Sequence, residues 1–175
     1  MIKRWTIYNK SSNFAQISKD YKVDPVIARI IRNRDVLEDN LNMYLHGGIE
    51  NLNDPFLMKD MDIAVTLLLQ TIAKGSKIRI VSDYDVDGVM SNYILYKALR
   101  DMGADVDYEI PDRINDGYGI NDRIIKAAFD DGINLILTCD NGISAIPQIK
   151  YAKDLGMSVI VTDHHDIPYD TDEEG

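Results

Sequence analysis

From residue 60 onward, short apolar runs alternate with helical patterns of 10 to 15 residues, and that alternation leaves few folds open. Helix 60–74 (DMDIAVTLLLQTIAK) is closed by Gly75, and strand 77–81 (KIRIV) follows. Next come helix 88–102 ended by Gly103, strand 106–110 (VDYEI), helix 121–131, strand 134–139 (NLILTC), helix 144–155 and strand 158–162 (SVIVT). A glycine just past a periodic run stops a helix because it takes the left-handed conformation without a Cβ penalty. Strands that are apolar on both sides and separated by helices cannot form hairpins. They predict an α/β fold, with right-handed βαβ units and a parallel β-sheet flanked by helices on both faces.

Residues 1–55 read as a separate helical segment, and residues 56–175 as the α/β domain. In DPVIARIIRNR, Asp24 suits the cap, Pro25 the first helical position, and Val26, Ile27, Ile30 and Ile31 make one apolar face. Arg29, Arg32 and Arg34 then form a solvated face with no chemistry assigned. A chain of 175 residues with 45% hydrophobic content is expected to build one sizeable core. The single cysteine, Cys139, forms no internal disulfide, and the start MIKRWTIYNK lacks the apolar run of a signal peptide, so a cytoplasmic protein is expected. No stretch approaches the roughly 18 apolar residues of a membrane span, so no membrane partner is expected. The ending DIPYDTDEEG is acidic and turn-prone, a solvated loop at which the chain looks cut.

The polar residues fall at the strand ends. KIRIV runs into SDYDVDG, LILTC into DNG and VIVT into DHH. In a parallel sheet these ends share the edge where open α/β sheets bind ligands. Asp83, Asp85, Asp87, Asp140, Asp163, His164 and His165 therefore converge from three segments. Carboxylates so crowded raise one another's pKa and cost stability unless a cation sits between them. Oxygen sets suit Mg²⁺, oxygen with imidazole suits Mn²⁺, and there are ligands enough for two ions. This also weakens what a net charge of −10 says against nucleic acid, since bound ions neutralise such acids. If SDYDVDG stays extended, Asp83, Asp85 and Asp87 face one side, and Gly88 lets the backbone approach a ligand at the start of a phosphate-attracting helix. A single such Asp has a plainer reading as a helix cap, for which Asp87 is placed. Two ions beside a helix N-terminus imply in-line hydrolysis of a phosphoester or phosphoanhydride.

DYDVDG (83–88 of SDYDVDG), PDRINDGYGIN (111–121), TCDNGI (138–143) and TDHH (162–165) resemble the ordered motifs of the DHH phosphoesterases. DGYGIN and CDNGI point within that superfamily to RecJ-type exonucleases specific for single-stranded DNA. The resemblance covers about residues 50 to 168 and implies a DHH-type, Rossmann-like sheet. It implies that Asp85, Asp87, Asp140 and His164 are metal ligands, with Asp83 a further ligand or an acid behind them. His165 matches the histidine that assists at the scissile phosphate, with Asp140 beside it in the catalytic centre. Arg113 matches a residue that grips substrate phosphate, as a guanidinium fork suits. Asp163 is expected to orient the histidines from behind. Several relatives carry a histidine four residues before the second motif aspartate, where this chain has Val81, so one metal position rests more on aspartates. The family also has a later metal-binding Asp, a second domain and, in the RecJ type, an oligonucleotide-binding fold. None fits within 175 residues, so the chain is expected to be the N-terminal part of a longer enzyme, weak or inactive alone.

The expected function is a metal-dependent 5′→3′ exonuclease acting on single-stranded DNA in recombination and repair, with Mn²⁺ or Mg²⁺ as cofactor and replication or repair proteins as further partners. The alternatives are a phosphodiesterase for short RNA or cyclic dinucleotides, a pyrophosphatase, and a non-enzymatic scaffold module. Intact acids and histidines speak against the scaffold. Tyr118, between Gly117 and Gly119, suits either stacking on a base or packing within its loop.

Overall fold

The structure, a computed structural model, describes residue 8 and residues 10–167, and most of the expected acidic ending lies outside these residues. The chain divides into two units, Met1–Leu57 and Met58–Gly175.

The first unit holds α1 (Phe14–Tyr21), α2 (Pro25–Asn33) and α3 (Leu41–His46). Asp24 caps α2 as its spacing predicts, its side chain accepting from the Val26 N–H, and Pro25 opens the helix. The buried face differs from the sequence expectation. Ala28 and Ile31 enter a small core with Ile17 and Leu41, while Val26, Ile27 and Ile30 stay exposed. A nine-residue helix against one short neighbour has room to bury only a narrow stripe.

The second unit opens with α4 (Met61–Ala73), followed by β1 (Ile78–Ser82), α5 (Val86–Asp101), β2 (Val106–Glu109), α6 (Asp122–Asp130), β3 (Leu135–Cys139), α7 (Ile146–Asp154) and β4 (Ser158–Thr162). The four strands are all parallel in the order β2-β1-β3-β4. Ile78, Ile80, Leu135, Leu137 and Cys139 point to one face, under Leu67, Leu68 and Ile72 of α4 and Leu95, Tyr96 and Leu99 of α5. Val81 and Ile136 point to the other, under Ile124, Ile125 and Ala128 of α6 and Ala152 of α7. Both central strands are thus buried on both sides, as their largely apolar sequence favours. Each fully buried isoleucine contributes about 1.5–3 kcal/mol.

Polar residues also enter the central strands: Ser82 and Thr138 are fully buried, and Arg79 brings a charge. Arg79 on β1 is 7% exposed and forms a two-pronged pair with its register neighbour Asp107, while Asp131 at the end of α6 takes a further guanidinium N–H at 2.9 Å. It lies toward the strands' N-terminal ends, away from the acids.

The strand order sets the site. From β1 the chain turns outward to β2, and from β3 it turns the opposite way to β4. The loops after β1 and β3 therefore diverge and leave a crevice between them, the switch point at which open α/β sheets bind ligands.

Candidate metal and phosphoester site

Asp83 follows β1, Asp140 follows β3, and Asp163 follows β4. Asp83, Asp85 and Asp140 each bring a carboxylate oxygen within 4.8 Å of the others. Asp140, His164 and His165 form a second such group. Asp140 belongs to both, so it stands where two cation positions would share a ligand. Asp83 is 2% exposed, and its Oδ1 has no hydrogen-bond partner among the described residues. A buried carboxylate oxygen without a donor is costly and is satisfied by a cation beside it. The donor set therefore fits a hard divalent ion: all oxygen in the first group, oxygen with nitrogen in the second.

The local geometry departs from the extended run expected for SDYDVDG. The helix begins at Val86, so Asp87 sits in the first turn of α5, exposed and outside both groups. The cap is Asp85 rather than Asp87, its side chain accepting from Gly88 N–H at 3.0 Å. Gly88 has a different use from the one expected. A Cβ there would stand 2.3 Å from the Asp83 carbonyl oxygen, so the close approach it permits is to the protein's own loop. Val81 is fully buried under α6 and α7, so this position is occupied by core packing.

Asp140 has a positive φ of 59°, a conformation that Asp and Asn adopt more readily than most residues. Burial, and then the neighbouring Asp85 carboxylate, push its carboxyl above the usual range, against the pull of His164. His164 Nε2 lies 2.9 Å from Asp140 Oδ1. Asp163 serves one histidine, not both. Its Oδ1 lies 2.6 Å from His165 Nδ1 and accepts the His165 N–H, while its Oδ2 accepts the Ile143 N–H. Burial opposes ionisation of Asp163, but these bonds outweigh it and hold the carboxyl below its usual range. In return, Asp163 raises the His165 imidazole above its ordinary value.

Arg113 is exposed, and its guanidinium lies 5.4 Å from the ring centroid of Tyr84, the residue between Asp83 and Asp85 in sequence. No salt bridge to Arg113 is found among the described residues, so the fork is available to an anion. The loop bearing it is braced by Arg123, whose Nε and Nη2 donate to Asp116 at 2.6 Å.

Sequence reasoning missed Asn141. It is fully buried, donates to the Val81 and Cys139 carbonyls, and accepts from the Ile120 N–H. One side chain thus ties β1, β3 and the 116–121 loop together beneath the acids. The available signal was an amide between an apolar strand and Gly142, too short a stretch to distinguish from a turn. Cys139 is buried beneath the site, as expected, with burial pushing its thiol up.

The pattern of the DHH family, N-terminal domain, matches residues 77–174, more than half of the sequence. The chain belongs to the DHH family. Among curated DHH relatives, the single-stranded-DNA-specific exonuclease RecJ of Bacillus subtilis is 35% identical over 165 residues, covering 93% of this chain and 21% of that protein. RecJ of Escherichia coli is 39% identical over 115 residues, covering 65% and 20%. The chain thus spans about a fifth of the length of these relatives. Among solved structures, exonuclease RecJ bound to manganese superposes with a TM-score of 0.61 at 34% identity, over 65% of this chain and 29% of the other. RecJ from Thermus thermophilus in complex with Mn²⁺ gives 0.61 at 25% identity, over 89% and 21%.

Proposed function

We propose that this DHH domain is a metal-bearing part of a 5′→3′ exonuclease that hydrolyses phosphodiester bonds of single-stranded DNA in recombination and repair. The observation that carries the reading is Asp140 shared between an acidic group and a histidine group, with the Asp83 oxygen buried and unpartnered beside it. The manganese-bound RecJ structures and the RecJ relatives support it. In this reading Asp83, Asp85, Asp140 and His164 hold Mn²⁺ or Mg²⁺, with Asp87 joining from the first turn of α5. Held by these residues, such an ion would supply positive charge against the phosphate oxygens and lower the pKa of a water molecule.

The chain's own residues do the rest. His165, seated by Asp163, faces the phosphate and exchanges protons with it. Arg113 grips a non-bridging oxygen from the Tyr84 platform, and Asn141 holds the two strand ends at fixed spacing. Residues 1–55 are a helical segment preceding the DHH domain of residues 56–175, and the enzyme works in the cytoplasm beside replication and repair proteins. The length of the relatives supports a further proposal, that cleavage depends on regions downstream of residue 175 to hold the strand.

The test is hydrolysis of end-labelled single-stranded DNA, a dinucleotide and pyrophosphate with Mn²⁺, the Bacillus subtilis relative being assayed alongside. The expected result is weak, Mn²⁺-dependent cleavage that favours single-stranded DNA and runs far below the relative's rate. Preference for pyrophosphate or for the dinucleotide overturns the DNA reading, and a rate equal to the relative's overturns the need for downstream regions.

A further inference from the structure

Tyr118 occupies a place that catalysis by His165 alone does not require. Its hydroxyl donates to the Asp140 carbonyl oxygen at 3.0 Å, and that bond uses the only proton the group has. The same oxygen lies against the His165 ring, 3.2 Å from Nε2 and 3.4 Å from Nδ1. The two rings meet edge to face, with centroids 5.8 Å apart.

The loop is shaped to deliver this hydroxyl. Gly117 and Gly119 both have positive φ, 77° and 70°, which side chains rarely adopt. At Gly119 a Cβ would also stand 3.2 Å from the Asn141 Cβ. The GYG sequence is therefore explained by the path that turns the Tyr118 ring inward over Asp140. Without it, the His165 ring keeps one hydrogen bond among the described residues, to Asp163 at Nδ1, and its packing against the His164 ring at 4.7 Å between centroids, and a ring hydrogen-bonded at one point can pivot.

We propose that Tyr118 is a positioning residue that seats its hydroxyl against the His165 ring, a second hold beside Asp163, while tying that ring to the backbone of the shared ligand Asp140. Its consequence for catalysis rests on the functional reading above, whereas its test rests on geometry alone. A substrate phosphate then meets a histidine already fixed relative to Asp140, instead of one that must be ordered during the reaction.

The experiment is NMR of the imidazole nitrogens and Cε1–H of the 175-residue chain without metal, at one fixed pH. Tyr118→Phe, which removes only the hydroxyl, is compared with wild type and with Tyr84→Phe, whose ring meets Tyr118 but makes no hydrogen bond to His165 among the described residues. The expected result is that Tyr118→Phe shifts and broadens the His165 ring signals, leaves those of His46 in place and keeps a cooperative melt. Tyr84→Phe should change neither histidine. Unmoved His165 signals in folded Tyr118→Phe overturn the proposal, as does an equal change in Tyr84→Phe. Should Tyr118→Phe melt non-cooperatively, Tyr118 is a folding residue and the positioning role is likewise overturned. Because Mn²⁺ is absent, a chain that binds no metal contradicts the functional reading and leaves this result intact.

Discussion

Asp140 Oδ1 and His164 Nε2 lie 2.9 Å apart, although they follow different strands and are separated by 24 residues. Two ligand atoms bound at right angles to an ion, with bonds of about 2.1 Å, stand about 3 Å apart. The pair is hydrogen-bonded at a spacing that a shared cation would also accept, and Asp85 and the buried Asp83 bring carboxylate oxygens within 4.8 Å of Asp140.

The same crowding makes Asp140 a cost to the metal-free chain. Its raised carboxyl pKa means that its contribution is most favourable at low pH and is lost as pH rises through the folded-state value. Asp140→Asn removes the charge, keeps the shape and tolerates the positive φ. Without metal at pH 7, this variant should melt higher than wild type by about 2–4 °C, the shift that ~1 kcal/mol gives a chain of this size. Thermal melts in chelator check it, and the advantage should vanish near pH 3.

Asp163 and His165 give the opposite profile on the acid side. The depressed Asp163 contributes stability above its unfolded pKa of about 3.9 and loses it as pH falls through the lower folded value. The raised His165 contributes fully below about 6.5 and loses its contribution as pH rises through the higher folded value. Asp163→Asn should therefore destabilise the chain most between about pH 4 and 6.5, the difference narrowing on both sides. Melting temperatures of both proteins from pH 3 to 9 check the window.

Gly88→Ala should act by collision, because φ there is not positive and the added methyl meets the Asp83 backbone. The expected loss is about 1–3 kcal/mol, with weakened Mn²⁺ binding as Asp83 shifts. Gly103→Ala, which meets nothing within 4 Å but has φ +81°, should cost about 1 kcal/mol through backbone strain and leave metal binding unchanged. Denaturant curves and Mn²⁺ titrations of the two variants separate these causes.

The sheet, its parallel direction and the edge carrying the acids were legible because apolar runs and helix stops recur with regular spacing. The long-range pairing of Arg79 with Asp107 was not, since one Arg in KIRIV carries no mark of the neighbouring strand's register. SDYDVDG shows a similar limit. Alternating acids suggest an extended run, but Asp85 caps α5 and helix formation from Val86 carries Asp87 out of that row. Local hydrogen bonding decided the backbone where side-chain alternation was ambiguous. Tyr118 and Asn141 were obscure for another reason: Asp140 for the first, and Ile120 and Val81 for the second, lie 21 to 60 residues away, and only the closed fold brings them together.

The central claim is that Asp83, Asp85, Asp140 and His164 hold a divalent cation. The most direct measurement is a calorimetric titration of the chain with Mn²⁺ near pH 7, paired with melting curves across millimolar Mn²⁺. Wild type should bind and gain about 2.7 kcal/mol when Mn²⁺ reaches a hundred times its Kd, whereas Asp140→Asn should lose most of both signals. No binding heat and an unchanged melting curve in wild type would contradict the account.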